Sequence, residues 1–208
     1  MKKLFLVIGV LCLFGGMLAV APVFAGTSDL NVLKQLSLEE LTNIEVTSVS
    51  RNRERLADAA AAVYVITSED LRRGGFTTIA EALRLVPGMQ VAHINANQWA
   101  ISSRGGNAWF ANKLLVLIDG RQVYTPLFSG VFWDVQDTML EDIDRIEVIR
   151  GPGAALWGSN AVNGVINIVT RRAEETQGLL VSAGAGDRER GFGAIRFGTQ
   201  AGEQGWFR

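Results

Sequence analysis

Apolar residues run without a break from Leu4 to Ala21, behind Lys2 and Lys3 and ahead of Pro22 and the small residue Ala25. That order is the order of an export signal, basic then apolar then small, with cleavage expected after Ala25. The same 18 residues meet the lower limit for a membrane span, so an uncleaved anchor is the alternative. Beyond residue 25 no apolar stretch is long enough for a spanning helix, and any role in a membrane must come through β-structure. Leu30, Leu33, Leu36 and Leu41 recur among polar residues, with Ser37 and Glu40 spaced as a capping box for a short helix. Residues 44–50 then alternate apolar and polar and predict an exposed extended segment, which the charge-rich residues 51–55 end.

The next hundred residues mix both periodicities. Residues 63–66 are β-branched and aromatic, a strand. Thr67 with Asp70 and Thr78 with Glu81 cap two short helices, which Gly74-Gly75 and Pro87-Gly88 terminate, and a strand over 89–93 follows. The run Leu114 to Ile118 is continuously apolar, as expected of a strand covered on both faces, and Asp119-Gly120 is a two-residue hairpin turn into a strand over 121–124. Residues 146–149 and 165–169 predict two more strands, the second entered through another hairpin dipeptide, Asn163-Gly164. After Arg172 the texture changes. Residues 178–186 and 191–199 are two runs of about nine residues, the length an outer-membrane barrel strand requires, joined by the charged tip 187–190. Trp206 and Phe207 look like the start of a third, and the chain is expected to be part of a longer one.

Composition narrows the chemistry. Past residue 25 there are 18 basic against 21 acidic side chains, so the basic surplus of a nucleic-acid binder is missing. Cys12 and His93 are the only residues of their kinds, which argues against a Cys-ligated metal, an internal disulfide or a Cys-His catalytic pair. His93, at the end of an apolar strand, reads as a partly buried spacer. Residues 153–160 copy the glycine spacing of a phosphate loop, but Ser159 stands where its Lys should be. The dinucleotide pattern begun by Gly184 and Gly186 meets Glu189 in place of its third glycine. Glu141, Asp142, Asp144 and Glu147 read as a solvated face with Arg145 and Arg150 as counter-charges. No nucleophile and base are placed for hydrolysis, so neither an enzyme nor a resident cofactor is expected.

Four motifs in order carry a family resemblance. The run from Ile146 to Thr170 (IEVIRGPGAALWGSNAVNGVINIVT), with Leu83 to Met89 (LRLVPGM), Ser103-Arg104-Gly105 and Leu115 to Arg121 (LVLIDGR), resembles the plug domain of TonB-dependent outer-membrane receptors. The resemblance implies an α+β fold: a small mixed-sheet plug domain with short helices over 44–172, after a leader over 26–43, followed over 173–208 by the beginning of a transmembrane antiparallel β-barrel. It also implies roles. Ile44, Glu45, Val46, Thr47 and Ser48 fall where the TonB box should be, the segment that TonB grasps in the periplasm; an ordinary edge strand of the plug is the alternative. The apical loops, represented by Asn97, Gln98, Trp99, Tyr124, Phe128 and Trp133, would bind a scarce nutrient, by family habit a ferric siderophore or similar metal chelate, with cobalamin among the alternatives. Arg104 and Arg150 fit the plug arginines that pair with barrel carboxylates. The barrel would meet outer-membrane lipid, and the other reading kept open is a periplasmic binding module without a barrel. Seven of the 14 aromatics past residue 25 fall within residues 99–133, mostly among Asn, Gln, Ser and Gly, a composition suited to an exposed binding surface.

Overall fold

A computed structural model describes residues 45–47, 54–59, 61–125, 127–187, 190–202 and 205–208. The export signal, the Ser37–Glu40 box, Ile44 and Ser48 lie outside the described residues. The strands are β1 (Glu45–Val46), β2 (Glu54–Arg55), β3 (Val63–Thr67), β4 (Met89–His93), β5 (Trp99–Ser103), β6 (Leu114–Ile118), β7 (Arg121–Gln122), β8 (Ile143–Ile149), β9 (Gly164–Thr170), β10 (Gly178–Gly184), β11 (Phe192–Ala201) and β12 (Gly205–Phe207). Among the described residues three short α-helices accompany them: α1 (Ser68–Gly74), α2 (Ile79–Ala82) and α3 (Ala154–Trp157).

A five-stranded sheet in the order β3-β8-β9-β6-β7 organises the domain, antiparallel except for the parallel pair β6 and β9. Its register sorts side chains onto two faces. Ile66, Ile146, Val148, Ile166, Ile168, Leu114 and Val116 meet Leu71 of α1, Ile79 of α2, Leu83, Val86, Trp99 and Ile101 in the main core. Leu115, Leu117, Ile149 and Val165 point the other way and pack with Ala161, Val63 and Trp157. The alternate residues of Leu114 to Ile118 thus enter two cores, which is why the run is apolar throughout.

The helix starts follow from local chemistry. Thr67 accepts from the Asp70 amide at 3.1 Å while the Asp70 carboxylate accepts from the Thr67 amide at 2.9 Å, and Gly75 closes α1 in the left-handed region. Thr78 accepts from the Glu81 amide at 3.2 Å to open α2. Hydrogen bonds from Arg72 and then Arg73 hold the Glu69 carboxyl below its ordinary range. Asp119 and Gly120 both have positive φ, so the β6–β7 hairpin has the turn its dipeptide calls for, although β7 itself is only two residues long.

Three expectations fail here. Asn163-Gly164 is no hairpin turn: residues 150–163 form a long connection, and Asn163 instead donates its amide to Lys113 O at 2.8 Å and its side chain to Ser103 O at 3.0 Å. The segment at 44–50 is not simply exposed, because Val46 is 0% accessible and β1 pairs with β2. The acidic cluster is not a solvated face either. Glu147 and Asp142 are buried; Arg145 pairs with Asp144 and Glu147, Arg196 and Arg208 approach Asp142 at 3.4 and 3.7 Å, and Arg150 serves neither.

Strands β10, β11 and β12 form a separate antiparallel sheet. Leu179, Val181, Ile195, Phe197 and Phe207 share one face through the register and are all exposed, Ile195 at 73%. The opposite face turns to the preceding domain, where Arg196 and Arg208 approach Asp142. Arg196 donates to Thr176 O at 2.7 Å, and a side chain at buried Gly198 would strike the same carbonyl. Among the described residues no helix is long and apolar enough to cross a membrane.

Candidate functional site

The residues singled out from sequence fall into separate regions. In the first, the β1 strand carries Glu45 and Val46 into an antiparallel pairing with Arg55 and Glu54, and Thr47 follows. Its amide donates to both carboxylate oxygens of Glu147, at 3.1 and 3.0 Å, and its hydroxyl lies 3.3 and 3.4 Å from them. Glu147 is 0% accessible and also accepts from Arg145 Nε at 2.8 Å. Sequence reasoning missed Glu147 as part of this region. The signal was present in the alternation of residues 143–149: Ile146 and Val148 commit one face to the main core, so Glu147 must project to the other with Ile149.

The second region is built from the loops that follow β4, β5 and β7. Asn95 closes the β4–β5 turn by accepting from the amides of Asn97 and Gln98 at 3.2 and 3.0 Å; Asn97 is exposed, whereas Gln98 is half-buried and its side-chain oxygen accepts from the Asn95 side-chain amide. Trp99, by contrast, is only 5% accessible. Its ring lies against His93, with centroids 3.4 Å apart, and beneath the Arg84 guanidinium at 5.3 Å. His93 itself is exposed, not the partly buried spacer expected. Trp133 is likewise buried in the main core. The exposed parts of Asn97, Trp99 and Trp133 share a hollow of about 620 Å³ with Arg84, Asp134 and Asp137.

Next to that hollow in the chain, the loops after β5 and β7 join through rings. Phe110 stacks on Trp109 at 4.7 Å and on Phe128 at 5.8 Å, and Phe132 meets Phe110 and Phe128 edge-on at 5.3 Å. Phe128 remains 50% exposed and Trp109 is also exposed, so the cluster offers apolar faces to an incoming molecule. Gly130 permits the approach: a side chain there would sit 2.9 Å from the Phe110 backbone. Tyr124 is half-buried and belongs to neither ring cluster nor hollow. Trp109, Phe110 and Phe132 lay within the aromatic-rich stretch, but spacing alone did not separate them from the buried tryptophans.

Arg104 and Arg150 are brought together. Arg104, held with φ of 59°, donates to Arg150 O at 2.9 Å, and Arg150 donates to Pro87 O at 3.2 Å. Their recorded hydrogen bonds go to backbone carbonyls, and among the described residues neither forms an ion pair with a carboxylate. The described residues contain no group of three His, Cys, Asp or Glu able to hold a metal ion.

A small α+β domain with a mixed sheet, continued by an antiparallel sheet whose outer face is apolar, defines the class: a domain joined to strands of barrel type. The chain belongs to the family of TonB-dependent receptor plug domains, whose profile (TonB-dependent Receptor Plug Domain) matches residues 55–165. It is 32% identical over 187 residues to the vitamin B12 transporter BtuB of Vibrio cholerae, covering 89% of this chain and 30% of that protein. It is also 32% identical over 166 residues to BtuB of Vibrio vulnificus, covering 78% and 26%. Among solved structures, the open form of the ferric-catecholate import receptor Fiu from E. coli K12 matches with TM-score 0.54 and 25% identity over 72% of this chain and 20% of that one. The chain spans about 30% of the length of the first of these relatives.

Proposed function

We propose that residues 44–172 form the plug, and residues 173–208 the first barrel strands, of an outer-membrane receptor that imports a ferric siderophore or similar metal chelate with energy delivered by TonB. Residues 1–25 direct export and 26–43 are a leader. The observation that carries this reading is the continuity of a family plug with strands whose outward face, from Leu179 to Phe207, is exposed and apolar, as lipid contact requires. A barrel-less periplasmic module would leave that face in water. A charge placed there is therefore costly: Ile195→Lys is expected to destabilise the membrane-inserted receptor by up to about 2–4 kcal/mol, read from urea unfolding in liposomes. Equal stability would remove the lipid assignment.

The ligand is bound where the loops expose rings beside polar groups. Phe128→Ala is expected to weaken ligand binding by about 1–3 kcal/mol in the full-length receptor, with little change in its unfolding midpoint. Cobalamin, itself a cobalt chelate, is the second reading, favoured by the identity to the Vibrio vitamin B12 transporters. Uptake of labelled ferric catecholate and labelled cobalamin by cells making the full-length receptor, with and without a protonophore, separates the two. Accumulation of one, abolished by the protonophore, assigns the ligand. Accumulation that ignores the proton gradient contradicts energy coupling.

A further inference from the structure

The β10–β12 sheet could meet the preceding domain with either face. One face carries Leu179, Val181, Ile195, Phe197 and Phe207, and burying it against protein is what the hydrophobic effect favours in water. The structure has that face outward and exposed. A one-residue change of register exchanges the two faces of a strand, so a local interaction has to specify the choice. The inward face holds Arg196 and Gly198, and Arg208 follows Phe207, the partner of Thr199, so that it falls opposite Gly198. Asp142 lies between the two arginines with its side chain only 8% accessible: Arg196 Nε is 3.4 Å from Oδ1 and Arg208 Nε is 3.7 Å from Oδ2. The Asp142 backbone is fixed on both sides, its amide donating to Met139 O at 3.0 Å and its carbonyl accepting from the Arg171 amide at 2.8 Å. Each arginine also donates to a backbone carbonyl, Arg196 to Thr176 O at 2.7 Å and Arg208 to Arg171 O at 3.0 Å. Buried Gly198 lets the strand come this close, since a side chain there would strike Thr176 O. Apolar packing is incomplete at the same contact, where Leu71, Phe76, Leu140 and Leu180 line a hollow of about 390 Å³.

We propose that Asp142 is a positioning residue that selects which face of the β10–β12 sheet meets the domain: its carboxylate draws Arg196 and Arg208 inward and so keeps the apolar face outward. The meaning of that choice, a face reserved for lipid, rests on the reading of residues 173–208 as barrel strands, whereas the selection itself does not. A buried ion pair adds little stability over apolar residues of the same size, but it fixes one arrangement, because every other arrangement strands a charge. Here the inverted sheet would leave Asp142 buried without a counter-charge and would turn both arginines away from it. The contact is complete within residues 142–208, so the face is chosen without help from any further strand.

Pulsed electron spin resonance of the whole chain in detergent micelles tests this, with Cys12→Ser and spin labels on Lys113→Cys and Thr199→Cys, both at exposed positions. The parent should give one narrow distance. Asp142→Asn, which keeps the shape and removes the charge, should broaden the distribution at least twofold, while the amides of Ile146, Val148, Ile166 and Ile168 keep their protection from hydrogen exchange. Asp142→Glu should restore a single distance. An unbroadened distance in folded Asp142→Asn would overturn the proposal. Should that variant fail to fold, Arg196→Gln with Arg208→Gln decides: the same broadening is expected, and an unchanged distance overturns the proposal. In liposomes, full-length receptor carrying Asp142→Asn should yield at least fivefold less heat-resistant barrel on electrophoresis. Broadening in the chain with a normal barrel yield would leave the face selection standing and sink its assignment to barrel assembly instead.

Discussion

Val46→Pro is expected to abolish uptake by the full-length receptor while ligand still binds at the cell surface. Proline fixes φ and removes the backbone N–H, so a two-residue strand can neither keep its pairing with β2 nor add in register to a partner's sheet edge. The loss is local. The main core gathers side chains from the five-stranded sheet, α1, α2 and β5, and takes nothing from β1. The rings exposed at Phe128 and Trp109 lie in loops far along the chain from residue 46. Transport and surface binding measured on the same cells therefore separate coupling from recognition. Uptake at the parental rate would take residues 44–48 out of the coupling role and make β1 an ordinary edge strand.

Trp99→Ala is expected to cost about 3–5 kcal/mol of stability, the range for truncating a large aromatic in a packed interior. The residue opens β5, pairs across the ladder with His93, and packs in the core cluster with Ile101 and Trp133. Truncation would also remove the ring beneath Arg84. The measurement is denaturant unfolding of the chain followed by circular dichroism, with Phe128→Ala as the half-exposed comparison. A normal unfolding midpoint together with weakened ligand binding would return Trp99 to the ligand surface.

These two residues show where sequence is sufficient and where it stops. The Thr67–Asp70 box, the Asp119-Gly120 turn and the doubly covered run from Leu114 to Ile118 are legible because each is decided within a few residues. The two runs of about nine residues after Arg172 are legible by their length, and they form β10 and β11; the period-two alternation that puts their apolar side chains on one face emerges from the register. Asn163-Gly164 misleads because a hairpin dipeptide specifies a turn only when its flanking strands pair directly. Here β9 pairs with β8 across a long connection containing α3, and with β6 in parallel. Trp99 and Trp133 sit among polar neighbours yet are buried, since burial follows what the sheet and helices bring over a residue and not the polarity of adjacent positions. Glu147 belongs to the same class of error: four acids within seven residues resemble a solvated surface until strand alternation turns two of them in different directions. For Arg104 and Arg150, sequence located the residues, and the structure places each on a backbone carbonyl.

In the function proposed above, TonB takes hold of this chain at residues 44–48. A photo-crosslinking amino acid placed at Glu45, which is exposed at the start of β1, tests it in energised cells making the full-length receptor and supplied with ligand. The expected result is a covalent adduct with TonB that disappears when Val46→Pro is introduced into the same receptor. Adducts confined to the receptor itself, with transport proceeding normally, would contradict it.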